Sequence, residues 1–532
     1  MPGLLKRFTW VRSNPSVAKR SSEPRGVATL LAETIRHIQC REPVSSASVS
    51  NTLRGLKLRQ GVTGANRTLG SAQAGYMRRG SSTHGSLPNW RYTTQVRCLR
   101  QAKMHASTHI VVHYHELWLK LGNRPFFLHQ LRRAMRRALE GIAVARITQP
   151  GDRYLIELEN PAELETALRR LQQVFGISHL AVARPVDWSH KTFGQVTAGD
   201  DVVPQICETA WNEIRTESFS TFAVRAKRSD KRFPHDSMFL EREVGGVLFD
   251  KLEAAGRAAK VDLKNPELTC RIEVTRGPIL IYARRIAGPG GLPTNTAGRL
   301  TCLLSGGFDS AVAAYKMMKR GAHLSFVHFW GGGAEPGESS IHVARRLVEK
   351  LVPWQATAKL YLVPFEPLQR QIVADADESF RTLLYRRLML RIAERLALRE
   401  RSKGLVTGDS LGQVASQTLG NLQSVGSIAR LPLYRPLIGD DKLEIQDLAT
   451  KIGTHEISAE RFHDCCTILQ PKSPALFATT GQLDHAEAQC DSPALVEHGL
   501  QSVSLERFRY RQGTVERAVA RRRPTPQHLS KG

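Results

Sequence analysis

Short apolar runs alternate with amphipathic stretches over residues 300–460. Four apolar runs predict strands, and three stretches with apolar residues every three to four positions predict helices between them. The strands are predicted at 300–304, 323–330, 359–363 and 404–408, and the helices at 308–320, 339–350 and 375–399. Repeated strand–helix units fold into a parallel sheet with helices on both faces. The pattern therefore predicts an α/β domain with a doubly wound parallel sheet.

A mixed pattern of strands and helices precedes this domain. Residues 109–174 predict a strand, a basic amphipathic helix, two paired strands and a second helix, enough for an α+β module of about sixty residues. Residues 193–285 predict two further helices, over 193–217 and 238–254, and three strands. Glycine and proline dominate residues 288–293, which predict a linker into the larger domain.

The residues from Ser305 to Ser310 join the first strand of the predicted parallel sheet to its helix. Gly306 and Gly307 have no Cβ, so the backbone can come close to an anion. The free N–H groups and the dipole of the helix start favour such an anion, and the two serines add hydroxyl donors. The Gly-Lys-[Ser/Thr] of a P-loop NTPase is absent. We predict a phosphate-binding loop of another kind.

Asp309 is an unexpected residue in a phosphate-binding loop. A carboxylate next to a phosphate repels it unless a cation lies between them. We therefore expect Asp309 to contact Mg²⁺ or a cationic group. Alternatively, it stabilises the helix start, a role that is compatible with the first.

The carboxyl ends of parallel strands meet at one edge of a sheet, where ligands bind. His328 and Phe329 end the second predicted strand, and Gly408 ends the fourth. Gln413 and Gln417 are four residues apart and are predicted to share one helical face. We expect the loop 305–310 and these strand ends to form one pocket.

The net charge of +27 over 532 residues predicts an acidic partner, with nucleic acid as the first candidate. Aromatic residues accompany a basic segment within residues 222–233, which predicts either RNA contacts or a solvated loop. Its cationic residues are Arg225, Lys227, Arg228, Lys231 and Arg232. No apolar run reaches the length of a membrane span, so no membrane association is expected. Eight dispersed cysteines indicate a reducing, cytoplasmic setting.

The two ends of the chain show no sustained periodicity. Residues 1–103 carry 18 lysines and arginines against three acidic residues. They are interpreted as a transit peptide, a disordered basic arm, or upstream sequence with the true start at Met104, the interpretation that we favour. Residues 475–532 are polar and are predicted to be mostly disordered or to contact RNA.

Cys465 and Cys466 are adjacent in a polar segment. A four-ligand metal site would need a second pair, and Cys490 is the only later cysteine. Redox or sulfur chemistry would need one exposed thiolate near a cation such as Arg461 or Lys472. A buried structural pair is the third interpretation.

Several strings together give the chain a family resemblance. The Ser305–Ser310 string resembles the pyrophosphate loop of the ATP-pyrophosphatase (PP-loop) superfamily, and the set as a whole resembles the tRNA 4-thiouridine synthetases (ThiI, tRNA uracil 4-sulfurtransferase). The strings lie at 224–231, 261–266, 288–293, 303–310, 406–418 and 464–474. The resemblance implies a ferredoxin-like domain (104–164), a THUMP RNA-binding domain (165–287) and a PP-loop domain of the adenine nucleotide alpha hydrolase type (288–474).

The resemblance also implies a reaction and its participants. ATP, with Mg²⁺, would adenylate a tRNA uridine, expected at position 8, and Cys466 would handle the sulfur, with Cys465 or Cys490 as further thiols. A cysteine desulfurase would donate the persulfide, and a homodimer is compatible with the family. No rhodanese domain is expected, and neither is the role in thiamine synthesis that accompanies this domain in some members. The implied ATP contacts are Leu303, Leu304, His328, Phe329, Arg386 (or Arg387), Gly408 and Gln417.

Two other functions fit parts of the sequence. One is a different adenylating PP-loop enzyme, such as an RNA-modifying 2-thiouridine enzyme or an amide-forming enzyme; the THUMP-like strings and residues 406–418 disfavour it. The other is a non-catalytic THUMP RNA-binding protein with a degenerate loop, which the intact Ser-Gly-Gly-Phe-Asp-Ser disfavours.

Overall fold

A computed structural model describes residues 108–188, 202–331, 340–460, 469 and 471–519, all within the unit Asn89–Gly532. These residues form two sheets with helices packed against them. The residues of the predicted N-terminal extension and the pair Cys465–Cys466 lie outside the described residues.

The first sheet joins the two predicted N-terminal modules. Its order is β2-β3-β1-β4-β8-β7-β5-β6, with β9 also paired to β4. The strands are β1 (His109–His113), β2 (Val144–Thr148), β3 (Arg153–Leu158), β4 (His179–Val186), β5 (Thr221–Arg228), β6 (Lys260–Val261), β7 (Leu268–Val274), β8 (Ile279–Tyr282) and β9 (Ile286–Ala287). The helices are α1 (Arg124–Ala138), α2 (Leu164–Leu171), α3 (Val203–Ile214) and α4 (Ser237–Ala254).

The strand β4 belongs to both modules. Its first half pairs with β1, from His179 to Ala183, and its second half pairs with β8, from Arg184 to Val186. A buried apolar layer on one face, which includes Val111, Leu155, Ala181 and Tyr282, follows the sheet from one module into the other. The two modules therefore share a continuous backbone ladder.

The second sheet is the predicted parallel sheet, extended by two antiparallel strands. Its order is β14-β13-β10-β11-β12-β15-β16, and the first five strands are parallel. The strands are β10 (Arg299–Leu303), β11 (His323–Trp330), β12 (Thr357–Pro364), β13 (Leu405–Val406), β14 (Leu433–Tyr434), β15 (Ser504–Arg511) and β16 (Thr514–Val519). The chain leaves β10 toward β11 on one side and later returns to β13 on the other. This reversal is the topological switch point where α/β sheets bind ligands.

Helices cover both faces of this sheet. Residues Ala311–Ala314 and Met318 are fully buried against the sheet, because the helix that follows β10 presents small and apolar side chains on nearly every side. The helices are α5 (Phe308–Lys319), α6 (Ser340–Leu351), α7 (Glu366–Asp375), α8 (Arg381–Arg399), α9 (Leu419–Gly426), α10 (Lys442–Ile452), α11 (His455–Ser458), α12 (Thr480–Ala488) and α13 (Ser492–Gln501).

Two predictions of secondary structure were wrong. The helix expected over 375–399 is broken before Arg381, because the carboxylate of Asp377 accepts a hydrogen bond from the backbone N–H of Ser379 and starts a new turn. The segment 475–519, expected to be mostly disordered, forms α12, α13, β15 and β16. It is ordered because β15 pairs along the edge of β12 and buries Phe508 in the core.

Within the described residues, none of the helices is long and apolar enough to cross a lipid bilayer.

Candidate active site

The loop after β10 is held by its two serines. The Ser310 hydroxyl oxygen lies 3.1 Å from the Ser305 hydroxyl, accepts a hydrogen bond from the Ser305 N–H at 3.1 Å and donates to the Gly307 carbonyl at 3.0 Å. The Gly307 N–H donates to the Ser305 hydroxyl at 3.3 Å. These bonds close the loop on itself at the N-terminus of α5, with its free N–H groups at the helix start.

Gly408 packs directly against the start of α5. A Cβ at this position would lie 2.7 Å from the backbone nitrogen of Ser310 and 2.9 Å from the carbonyl carbon of Asp309. Real Cβ atoms do not approach backbone this closely, so only glycine fits without a shift. The end of β13 and the loop after β10 therefore form one wall, as the predicted meeting of strand ends requires.

Asp409 organises the cationic side of the site. Its carboxylate accepts hydrogen bonds from Arg386, from Arg435 at 3.2 Å, from the Thr407 hydroxyl at 2.7 Å and from Gln417 at 3.4 Å. Burial alone would raise the pKa of Asp409, but the charge of Arg386 and the bond from Thr407 outweigh burial and hold that pKa below its usual value. The carboxylate is therefore ionised at neutral pH and fixes both guanidinium groups.

Asp309 contacts a cation, as one of the two predictions for it states. The Lys442 Nζ lies 3.2 Å from its Oδ1, and the Gln413 side chain donates to its Oδ2 at 3.1 Å. Gln413 and Gln417 were expected to share one helical face, but this prediction was wrong, because Ala415–Gln417 form only a short 3₁₀ turn. Gln413 therefore contacts Asp309, whereas Gln417 contacts Asp409.

The end of β11 supports the loop from behind. The buried ring of His328 lies 2.8 Å through Nδ1 from the Leu304 carbonyl and 3.0 Å through Nε2 from the Ser340 hydroxyl. The Phe329 ring packs in the core against Phe365, with ring centroids 5.2 Å apart. These two side chains position the backbone at the strand end and do not themselves line the cavity.

A cavity of about 220 Å³ lies among these groups. Its lining includes seven of the predicted site residues: Leu303, Ser305, Asp309, Ser310, Arg386, Gly408 and Gln417. Of the two arginines left open by the spacing, Arg386 lines the cavity. Arg387 is fully buried away from it, bonded to Asp484 at 2.7 Å and Glu487 at 2.8 Å.

The thiol candidates are only partly described. Cys490 is buried, and burial together with the charges of Asp375 and Glu487 raises the pKa of its thiol. It lies in the core beside α8, so it has neither the exposure nor the charge state of a reactive thiolate. Among the described residues, no group of three or more His, Cys, Asp or Glu side chains could hold a metal ion.

The predicted basic segment is partly engaged by the protein itself. Arg228 donates to the carbonyls of Phe233 and His235, and Arg232 pairs with Asp230. Lys227 donates to Asp152 at 3.0 Å but remains mostly exposed. Arg225 is also exposed, near Glu241, and Lys231 is exposed. Arg228 thus holds the loop, whereas the other four present charge to solvent.

The sequence pattern placed the strand end Gly408–Asp409 in the pocket but assigned no role to Asp409, and it did not predict two further residues of this site, Arg435 and Lys442. Asp409 directly follows Gly408, so its place at a strand end was an available signal. Arg435 follows β14 and Lys442 opens α10, and neither position has a sequence pattern that predicts a contact with the loop.

Comparison with known protein families gives matches over three parts of the chain. The ThiI ferredoxin-like domain model matches residues 109–181, the THUMP domain model matches 200–284, and the model described as thiamine biosynthesis protein (ThiI) matches 295–491. The fold and the site define a THUMP-containing protein with a PP-loop domain.

Relatives identify the family. A probable tRNA sulfurtransferase of Thermus thermophilus is 40% identical over 383 residues, which cover 72% of this chain and 89% of the relative. One of Macrococcus caseolyticus is 35% identical, covering 74% and 94%. A crystal structure of a 4-thiouridine synthetase–RNA complex with bound ATP superposes with a TM-score of 0.65 at 29% identity, covering 75% of this chain and 99% of that one. The chain belongs to the tRNA sulfurtransferase family.

Proposed function

We propose that the protein uses ATP to convert a tRNA uridine, expected at position 8, to 4-thiouridine. The observation that carries the proposal is the cavity at the switch point, where a closed serine–glycine loop faces two guanidinium groups fixed by Asp409. A loop of N–H and hydroxyl donors suits a departing pyrophosphate, and the solved 4-thiouridine synthetase with bound ATP has the same fold.

In the first step, the uridine O4 would attack the α-phosphorus of ATP. The bond between the α- and β-phosphates breaks, and its electron pair leaves with pyrophosphate into the loop 305–310. Arg386 lies at the cavity wall, where its charge can stabilise the phosphate oxygens as the transition state forms. The Leu304 carbonyl, fixed by His328, and the backbone after Phe329 would shape the nucleotide end of the site.

Asp309 is the residue that would hold Mg²⁺, which neutralises phosphate charge when bound. A single carboxylate suits this ion, because Mg²⁺ usually binds one or two carboxylates together with substrate phosphates and water. Asp309 lies at the cavity wall and already faces the cation of Lys442. The residue would therefore exchange an ammonium contact for a metal contact when nucleotide binds.

In the second step, sulfur would replace the activated oxygen. The terminal sulfur of a persulfide on Cys466, received from a cysteine desulfurase, attacks C4 of the base, and the C4–O4 bond breaks as AMP leaves. The base is then joined to Cys466 through a disulfide. A second thiol such as Cys465 attacks the Cys466 sulfur, the S–S bond breaks to release 4-thiouridine, and an external thiol reduces the disulfide between the two cysteines. Alternatively, a second thiol such as Cys465 carries the persulfide, and Cys466 is the thiol that attacks it to release the sulfur. The mostly exposed Arg225, Lys227, Lys231 and Arg232 of the THUMP module would contact the tRNA backbone.

Reconstitution tests the proposal. Purified protein, ATP, a tRNA transcript, a cysteine desulfurase and cysteine should yield 4-thiouridine in nucleoside analysis. Cys466→Ala and Asp309→Ala should abolish or strongly reduce the product. Cys490→Ala is the matched control and should retain activity, because that thiol is buried.

The same assay separates the competing functions. Another PP-loop enzyme would give a different modified nucleoside, and a non-catalytic RNA-binding protein would bind tRNA without consuming ATP. An absence of 4-thiouridine with active desulfurase, or full activity of Asp309→Ala, would contradict the proposal.

A further inference from the structure

A second cavity, of about 700 Å³, lies at the opposite edge of the second sheet. Arg299, His323 and Thr357, the first residues of β10, β11 and β12, form part of its floor, whereas the candidate active site lies at the other ends of β10 and β11. The helix α8 packs on this face of the sheet and ends at Arg399, and at the strand beginnings Arg299 and Thr357 are exposed whereas His323 is half-buried. The hairpin β15–β16 completes the cavity.

The cavity carries unbalanced positive charge. Its five lysines and arginines face two glutamates, and one pair, Lys359 and Glu400, is joined at 2.8 Å. The remaining four cations are Arg299, Arg507, Arg509 and Arg517. Across the described ranges, none of these four guanidinium groups forms a hydrogen bond or ion pair. The cavity therefore has donors available for an anionic ligand.

The register of the strands places two of these arginines in a row. On β15, Arg507 lies opposite Lys359 and Arg509 lies opposite Thr357. Directly paired residues project to the same face, so both guanidinium groups face the cavity with those partners. Alternate residues of a strand are about 7 Å apart. This separation is close to that between consecutive phosphates of an extended nucleic-acid strand.

The basic surface continues onto the N-terminal module. Arg511 pairs with Glu140 just after α1 at 2.7 Å, and Arg170 donates to the Gln512 carbonyl at 2.9 Å, so the hairpin is docked on that module. Burial lowers the pKa of His323, and the charges of Arg299 and of Arg137 on α1 lower it further. The buried Nε of Arg137 has no hydrogen-bond partner among the described residues. The neighbouring Arg133 is exposed.

We propose that this cavity and the adjoining basic face of α1 form a second RNA contact surface, which binds the phosphate backbone. The inference rests on the proposed function, in which tRNA is the substrate. Strand β11 has eight residues and spans about 26 Å between the two edges of the sheet. A single nucleotide cannot contact both edges, whereas a folded RNA can reach both.

Charge reversal in the full-length protein tests this surface. Binding of a tRNA transcript is measured at several salt concentrations for R507E, R509E and the double variant. Each lost phosphate contact should reduce the slope of log K against log salt by about 0.9, so the double variant should lose about 1.8 and bind at least tenfold more weakly at low salt. R370E, on the exposed face of α7, changes the net charge by as much as each single variant and should leave the slope unchanged.

Two further measurements keep the surface distinct from the reaction. At saturating tRNA the variants should thiolate at the wild-type rate, with only the KM for tRNA raised. If wild-type protein forms no 4-thiouridine but the double variant still loses salt-dependent binding of tRNA relative to wild type, the proposed function fails and this surface stands.

The surface is overturned if R507E/R509E keeps the wild-type slope and affinity. It is also overturned if the double variant loses only the binding of inorganic pyrophosphate, because the cavity would then be a site for small anions.

Discussion

Substitution of Gly408 by alanine should disable the nucleotide cavity without removing any functional group. The added methyl would lie 2.7 Å from the Ser310 nitrogen, about 0.7 Å short of the 3.4 Å at which ordinary contact begins. Its neighbours are backbone atoms at a helix start, so no flexible side chain can move aside. The loop after β10 must therefore move away from β13.

The structure sets the size of the effect. Overpacking of a tight site costs about 1–3 kcal/mol of folding free energy. Even a displacement of about 1 Å at groups that position a reacting phosphate can cost about 100-fold in rate, so the overlap of about 0.7 Å should cost somewhat less. We expect Gly408→Ala to lower the kcat/KM for ATP by about 10- to 100-fold, with a modest loss of stability.

The assay compares two glycines. ATP consumption in the presence of tRNA and chemical unfolding are measured for Gly408→Ala and for Gly420→Ala. No atom lies within 4 Å of the position of a Cβ at Gly420, which is in α9, so that change should preserve activity and raise helix stability by up to about 1 kcal/mol. Wild-type kcat/KM in Gly408→Ala would refute the idea that close contact of β13 shapes the loop.

Further substitutions and a pH series test the charged groups. Arg386→Gln should strongly reduce ATP use and also lower the unfolding free energy, because Arg386 is the main charge that holds the buried Asp409 ionised. Arg387→Gln should lower the unfolding free energy by about 1–3 kcal/mol, because its buried guanidinium joins Glu487 to the Ser424 carbonyl, and it should leave ATP use near the wild-type level, because Glu487 keeps its bonds from Arg391. An equal loss of ATP use in the two variants would contradict the placement of the two residues. Asp409→Asn should destabilise the protein at neutral pH, because the lowered pKa of Asp409 in the folded state stabilises the fold when the carboxyl is ionised. The difference in unfolding free energy from wild type should shrink as the pH falls below about 4, the usual pKa of an aspartate in the unfolded chain. Burial and the charge of Arg153 lower the pKa of His113 to about 3 in the folded protein. On acidification the His113 ring is therefore protonated in the unfolded chain before it is protonated in the folded one, and the unfolding free energy should fall as the pH drops from about 6.5 toward 3. His113→Gln should make that decline shallower in chemical unfolding, and an unchanged slope would contradict it.

The sequence predicted the loop and the strand ends because each depends on local pattern. A strand, two glycines and a helix start identify the anion site, and parallel topology then brings Gly408 to it. Arg435 and Lys442 were not predictable in the same way. Their side chains reach the site across the gap between strand ends, and only the three-dimensional path of residues 430–442 brings them there.

The C-terminal hairpin shows a different limit. Phe508 and Tyr510 alternate with arginines, and Gln512-Gly513 form a turn, with both residues at positive φ, so a hairpin signal was present. The buried position before them is Glu506, whose carboxylate is held by Arg345 at 2.6 Å. The charged Glu506 on the inward face interrupts the alternation of apolar and polar residues. Arg345, which is distant in sequence, offsets the cost of burying this carboxylate.

The shared strand β4 has a consequence for how the N-terminal half can be divided. A domain boundary placed before β4 would remove one paired strand from β1, and a boundary placed after β4 would remove one from β8. Each fragment would then expose an unpaired edge strand that can aggregate. Residues 109–287 should accordingly melt in a single cooperative transition, and limited proteolysis should release them as one piece.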